Sequence, residues 1–292
     1  MDPYQTYQLA LQSPALVGAK DREGWVDLFH PDGFVEDPVE AGRYRGRPSI
    51  ETFWDVFIGP QPSVAFDVRR DYWGGDTLIR QATVVNITQA DPVRPLKVPA
   101  LIRYTLREGR VGSLRAIWEP RHVVGWFVGL GPKGIWALSR HGVRMMAKAG
   151  LHNGLSFGGT LVGGLGRPAA QAMVEALRSG EASRWAALGP ARVTVAHEDE
   201  QHEFEDQPGK ALEQLRTWAD PLPELVLDQL LVCGHHVGAF LVHPERPGGL
   251  ALMMQALRPD RIASLTAIWS SEPRVLDLSP AGTPTGTPTG IK

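Results

Sequence analysis

The sequence predicts an α+β chain in which one unit occurs twice, each copy having helices first and a largely antiparallel, curved sheet after. Three observations predict it. Residues 100–118 (ALIRYTLREGRVGSLRAIW) return at 251–269 (ALMMQALRPDRIASLTAIW) with ten of 19 positions identical and a constant offset of 151. Such a period marks a repeated folding unit. Helical apolar spacing precedes a run of strand patterns in both halves. The turns between those strands are too short for crossover connections, so neighbouring strands must run antiparallel.

Residues 9–29 carry helical periodicity, expected to break at Pro14, with a second helix starting near Asp21. Trp25, Leu28 and Phe29 share one face of it. Pro31-Asp-Gly33 is a turn signal, and Phe34–Asp37 a short strand ended by Pro38. Pro48 opens a third helix whose Ile50, Phe53, Trp54 and Phe57 fall at i, i+3, i+4, i+7. Strands are predicted over Val64–Trp73, Thr77–Thr88, Leu96–Leu106 and Val111–Trp118, with turns at Gly74-Gly75, Ala90–Pro95 and Glu108-Gly109.

The second copy keeps this order. Helix is predicted over Ala169–Leu188, strand over Arg192–Ala196, and helix over Lys210–Trp218. Strands follow at Leu225–Val232, Val237–Val242, Ala251–Leu257 and Ile262–Trp269. Upstream of the repeat the offset is 160, as between Trp25 and Trp185 or Asp37 and His197, and it falls to 151 across extra loop at residues 90–97. The expected organisation is a domain at 9–120, a helical, Gly-rich linker at 121–167, a degenerate second domain at 168–273 and a disordered tail at 274–292, which includes GTPTGTPTG. In the linker, Trp136, Arg140, Arg144 and Lys148 step by four along one side of a helix over Pro132–Ala149. The favoured reading is that this helix docks its apolar side on the adjoining domains; a membrane-surface helix is the alternative. The glycines of 154–166 are followed by Arg167-Pro168 and not by a Lys-Ser/Thr pair, so they do not read as a phosphate loop.

Composition narrows the function classes. A formal net charge of −2 argues against nucleic acid as a partner. Cys233 is the single cysteine, which excludes an intrachain disulfide and a cysteine zinc site. The start Met1-Asp-Pro-Tyr-Gln lacks a signal-peptide pattern, and the longest apolar window, near 123–130, is too short for an integral membrane segment. The expectation is a soluble, cytoplasmic protein.

The stretch Lys20-Asp-Arg-Glu-Gly-Trp-Val-Asp-Leu-Phe29, then Val35-Glu-Asp-Pro38, then Arg45-Gly-Arg-Pro-Ser-Ile50, closed by Arg110–Trp118, resembles the ketosteroid isomerase and SnoaL-like branch of the NTF2-like superfamily. The resemblance covers almost all of 9–120 and extends to 168–273 through the repeat. It implies two cone-shaped α+β domains, an apolar pocket at the open end, a small apolar ligand, and no cofactor or metal. It implies that Asp37 is a general base for proton transfer beside a ketone, of a steroid or a polyketide. The family's oxyanion donors fall on Ser13 and Ile102, and its supporting aromatic on Trp54, so the base is present and neither usual donor is. Side chains alternate along a strand, so Tyr104 shares the face of Ile102 and is the candidate replacement donor. Tyr4 and Tyr7 are candidates for covering the mouth. Trp118 completes the expected pocket. His197 stands at the second domain's counterpart of Asp37; with His202 it reads as a solvated acidic edge and not a metal pair, and His235-His236 reads the same way. Cys233 reads as a small buried apolar residue. The resemblance leaves three functions open: a ketosteroid isomerase-like enzyme, a SnoaL-like cyclase or dehydratase, and a non-catalytic binder of apolar molecules. It also implies that the two domains pair as an intramolecular pseudo-dimer.

Overall fold

The structure is a computed structural model that describes residues 3–161, 166–219, 222–258 and 261–273, with side chains from residue 8 onward except at Ala182. The expected disordered tail and the side chains of Tyr4 and Tyr7 lie outside the described residues. The first unit runs α1 (Pro3–Ala19), α2 (Arg22–Asp27), β1 (Phe29–Glu36), β2 (Tyr44–Arg45), α3 (Arg47–Phe53) with a π-helical turn over Trp54–Ile58, β3 (Ser63–Gly74), β4 (Thr77–Thr88), β5 (Asp91–Arg107) and β6 (Arg110–Ile117). Two helices follow, α4 (Pro120–Val128) and α5 (Pro132–Thr160), the latter kinked where Gly150 has φ 87°. The second unit runs α6 (Gly166–Ser179), α7 (Ala182–Leu188), β7 (Arg192–His197), β8 (Glu200–Glu205), α8 (Pro208–Trp218), β9 (Val226–Cys233), β10 (His236–Val242), β11 (Gly249–Arg258) and β12 (Arg261–Ser270).

Each unit has one six-stranded sheet, in the orders β2-β1-β6-β5-β4-β3 and β8-β7-β12-β11-β10-β9. The order is the same in both, and within each sheet, among the described residues, only β1–β6 and β7–β12 pair in parallel. With helices on one face of each curved sheet, these are two α+β, NTF2-like units, as predicted. The matching sheets suggest duplication.

Several local expectations are corrected. Helix α1 continues through Pro14. Proline lacks the N–H that would bond the carbonyl of Ala10, and Arg80 Nη1 donates to that oxygen at 3.1 Å instead. The Ala169–Leu188 helix is two helices separated at Gly180, which has φ 67°. Strands β2 and β8 were not predicted; both are short edge strands whose sequences show no alternating apolar signal. The extra loop expected at 90–97 is strand from Asp91 onward. It lengthens the β4–β5 hairpin, whose strands hold 12 and 17 residues against 7 and 10 in β10 and β11.

The ungapped repeat also hides a change of register. Ile117 pairs with Leu101, and its counterpart Ile268 pairs with Ala251, an offset of 150 on that strand against 151 on the next. One additional residue sits in the β11–β12 hairpin, where the pairing shifts twice between Gln255 and Arg258. The neighbour of Ala116 is Ile102, and the neighbour of Ala267 is Leu252. Met253, aligned with Ile102 in sequence, therefore faces the opposite side of its sheet.

Among the described residues there are three apolar clusters. One fills the first unit around Trp25, Phe53 and Trp54. One fills the second around Met173, Trp185 and Leu215. The third draws on both sheets: Tyr72, Ile79, Leu101 and Ile117 meet Leu231, Phe240, Met253 and Ile268, with the Tyr72 and Phe240 rings stacked at 5.6 Å. At its rim the carboxylate of Glu40 accepts from the backbone N–H of His235 at 2.9 Å and from His236 Nδ1 at 2.8 Å. Arg115 can only donate, so His236 Nε2 accepts from it, at 3.2 Å, while Nδ1 carries the hydrogen given to Glu40. His236 is thus buried between the units and is not the solvated edge expected. Gly234, with φ 56°, lets the chain pass Glu40, because a Cβ there would lie 2.0 Å from its carboxylate oxygen. Cys233 is buried beside them and donates to the Val39 carbonyl at 3.3 Å, as its bland reading required.

Candidate active site

The first unit's cone encloses a cavity of about 510 Å³. Helix α1 brings Ser13 to its base, the end of β1 brings Asp37, the middle of β5 brings Ile102 and Tyr104, and the residue after β6 is Trp118; all five line the cavity. The walls between them are apolar, formed by side chains such as Val17, Phe53, Val64, Leu114 and Ala116. Trp54, expected at the pocket, is not among the lining residues. It is buried in the core with its ring 5.5 Å from that of Trp25.

Among the described residues that line the cavity, Asp37 is the only carboxylate. Its Oδ1 accepts a hydrogen bond from Trp118 Nε1 at 2.6 Å. Burial in these apolar walls disfavours the anion and raises the carboxyl to about 6, with the Trp118 bond opposing the rise. That value suits a group that exchanges protons near neutrality.

Tyr104 is fully buried, and its hydroxyl donates to Ser13 Oγ at 3.4 Å. Ser13 Oγ also accepts from Trp25 Nε1 at 3.0 Å. Burial pushes the Tyr104 phenol up, against the nearby Arg80 guanidinium and the Ser13 bond, so it stays a donor at neutral pH. The phenol ring rests on Arg80, whose guanidinium carbon lies 5.8 Å from the ring centre. Arg80 is locked by a bidentate bond to Asp71, at 2.8 and 2.7 Å, with both side chains wholly buried. This pair was not legible in the sequence, since β3 and β4 must be in register before Asp71 faces Arg80.

The rim also departs from expectation. The lengthened β4–β5 hairpin supplies Val84, Asn86, Leu96 and Val98 to the wall. Residues read as linker close the mouth: Phe127 from α4, and Leu138, His141 and Phe157 from α5. Burial and the Arg144 charge hold the His141 imidazole below its ordinary range.

The second unit is built differently at the matching place. In β1, Glu36 pairs with Arg115, so the next residue, Asp37, falls beside Ala116; in β7, Val195 pairs with Ala267. The register counterpart of Asp37 is therefore Val195, a buried core residue, and not His197. His197 lies two residues further on, its Nδ1 3.2 Å from the Trp269 carbonyl and its ring against Trp218. His202 also packs on the Trp218 ring, at 5.6 Å.

The first unit is thus a cone of helices on a curved sheet closed around a partly buried carboxylate, and comparison with known proteins supplies its family. A SnoaL-like domain model matches residues 11–113. A steroid Delta-isomerase of Nocardioides simplex is 30% identical over 112 residues, covering 38% of this chain and 81% of that protein. Through its first unit the chain belongs to the SnoaL-like family that includes this isomerase. Similar solved structures include a Δ5-3-ketosteroid isomerase from Mycobacterium sp., 20% identical, with TM-score 0.37 over 40% of this chain and 95% of that one. Another is a Mycobacterium tuberculosis protein in complex with estradiol-17beta-hemisuccinate, 18% identical, with TM-score 0.36 over 39% of this chain and 93% of that one. A third, SalBIII, an epoxide hydrolase/cyclase-like enzyme of pyran ring formation in salinomycin, is 20% identical, with TM-score 0.36 over 40% of this chain and 92% of that one.

Proposed function

We propose that the first unit is a ketosteroid isomerase-like enzyme acting on a flat apolar ketone, steroid-like or polyketide-like, with Asp37 as its base. The observation that carries this reading is the partly buried Asp37 carboxylate, held by Trp118 in a largely apolar cavity. Above about pH 6 the ionised carboxylate removes a proton from the carbon between the ketone and a β,γ double bond. The electron pair shifts onto the ketone oxygen as a dienolate. Tyr104 turns its O–H from Ser13 to that oxygen and supplies the donor that the family places elsewhere. Asp37, now protonated, returns the proton at the far end of the former double bond, and the ketone reforms in conjugation.

The remaining assignments belong to the same proposal. The domains are 9–120 and 168–273, joined by 121–167. The second domain contributes folding and interface, and the two pair as an intramolecular pseudo-dimer across the shared apolar cluster. Its interior supports this role, since Val195 stands where a base would be.

The test is conversion of a β,γ-unsaturated steroid ketone to its conjugated isomer by the purified chain. Turnover that survives Asp37→Asn removes the mechanism. One observation favours a second reading, that of a non-catalytic binder: the Tyr104 hydroxyl is already engaged by Ser13. Saturable steroid binding with no product, across ketone, cyclisation and dehydration substrates, would establish that reading instead.

A further inference from the structure

We propose that the surface formed by α4 and α5 is a docking face for an anionic lipid bilayer. Large apolar side chains more than half exposed are concentrated there: Val128, Ile135, Trp136, Val143, Leu151 and Leu155, at 51–67% exposure. Among the described residues only Val93 and Leu257 match them elsewhere. Scattered single exposures are ordinary, but a cluster on one segment marks an interaction surface.

Charge identifies the occupant. Residues 120–174 contain six Lys or Arg and no Asp or Glu, in a chain whose net charge is −2, which leaves −8 on the remainder. Trp136, Arg140, Val143 and Ala147 succeed one another at helical spacings of four, three and four, so cation and apolar groups share one face. The Arg140 guanidinium lies over the Trp136 ring at 5.4 Å, and neither Arg140 nor Arg144 has a carboxylate within ion-pair distance among the described residues. Lys133 and Lys148 are exposed and reach Asp91 and Asp55 only at 4.0 and 3.9 Å. A second copy presenting the same face would bring like charges together, whereas an anionic headgroup layer neutralises them while the acyl region takes the apolar side chains. No helix among the described residues is long and apolar enough to cross a membrane, so the contact lies along the surface. Trp136 and Arg140 also line the cavity mouth, together with Leu138 and His141, which places the entrance next to the bilayer. The proposal rests on this surface and not on the catalytic reading of Asp37.

The test is flotation of the full chain with vesicles of phosphatidylcholine alone and of phosphatidylcholine with about one-third phosphatidylglycerol. We expect binding to the anionic vesicles at least about tenfold above the neutral ones, and its loss at high salt. The pair Ile135→Ser and Leu151→Ser, and separately Lys133→Glu with Lys148→Glu, should each abolish flotation with an unchanged unfolding transition. Val93→Ser, an exposed apolar change outside the segment, should leave flotation intact. Equal binding to both vesicles, or none to either, overturns the proposal. So does concentration-dependent dimerisation that Ile135→Ser and Leu151→Ser abolish without vesicle binding, which would assign the face to self-association.

Discussion

Replacing Asp37 by Asn should stabilise the chain while removing its chemistry. In the folded chain this carboxyl titrates at about 6, against 3.8 for an ordinary Asp, because burial penalises the anion. A gap of about two pH units corresponds to about 3 kcal/mol. The sign follows from proton counting. Below about pH 4 the carboxyl is protonated in both states and costs nothing. Between about pH 4 and 6 the unfolded chain releases the proton and the folded chain keeps it, so stability falls; above about pH 6 the full cost is present. Asn carries no charge at any pH and removes that cost, and its Oδ1 still accepts from Trp118. Its amide adds a donor facing the cavity, worth about 1 kcal/mol against it. The net gain at about pH 8 is therefore about 2 kcal/mol, and by about pH 4, where only the amide penalty remains, it reverses to a loss of up to about 1 kcal/mol. Denaturant unfolding of both proteins at the two pH values measures it. A variant that is less stable at the higher pH, or whose difference does not change with pH, would refute the reasoning.

Three further outcomes follow from the same geometry. Trp118→Phe removes the bond that opposes the rise at Asp37, so the carboxyl should titrate about one pH unit higher, read by NMR or by the acidic limb of the rate profile. Tyr104→Phe should lower turnover by about 10²–10³ with little change in ligand affinity, measured by steady-state kinetics and fluorescence titration. Arg80→Ala strands the buried Asp71 charge and the Ala10 carbonyl that Pro14 leaves free, and should cost about 3–5 kcal/mol in unfolding experiments.

The order of elements was legible because apolar spacing and turn residues specify it locally. Trp25, Leu28 and Phe29 were placed in the core by spacing alone and are buried. Asp37, Ser13, Ile102 and Tyr104 were named from sequence and meet in one cavity. What the sequence hid depends on partners distant along the chain. Trp118 was expected at the pocket, but its bond to Asp37 exists only once β1 and β6 pair in parallel. Helix α5 reads as linker until it folds back over the mouth. The Asp71–Arg80 and Glu40–His236 pairs likewise need sheet register and unit packing before they exist.

The additional residue in the β11–β12 hairpin bears on how the second unit could ever change. Side chains along a strand alternate between its faces, so a one-residue slip exchanges which of them look inward. Substitutions at Met253 would alter the contact between units, since that side chain belongs to the cluster shared by both sheets. The interior instead presents Leu252 and Met254 at the registers of Ile102 and Tyr104. Grafting first-unit pocket residues onto β11 by the aligned letters would thus point them at the wrong neighbour. Restoring a cavity there calls for transplanting by paired strands, or for deleting a residue from the hairpin, before any side chain is exchanged.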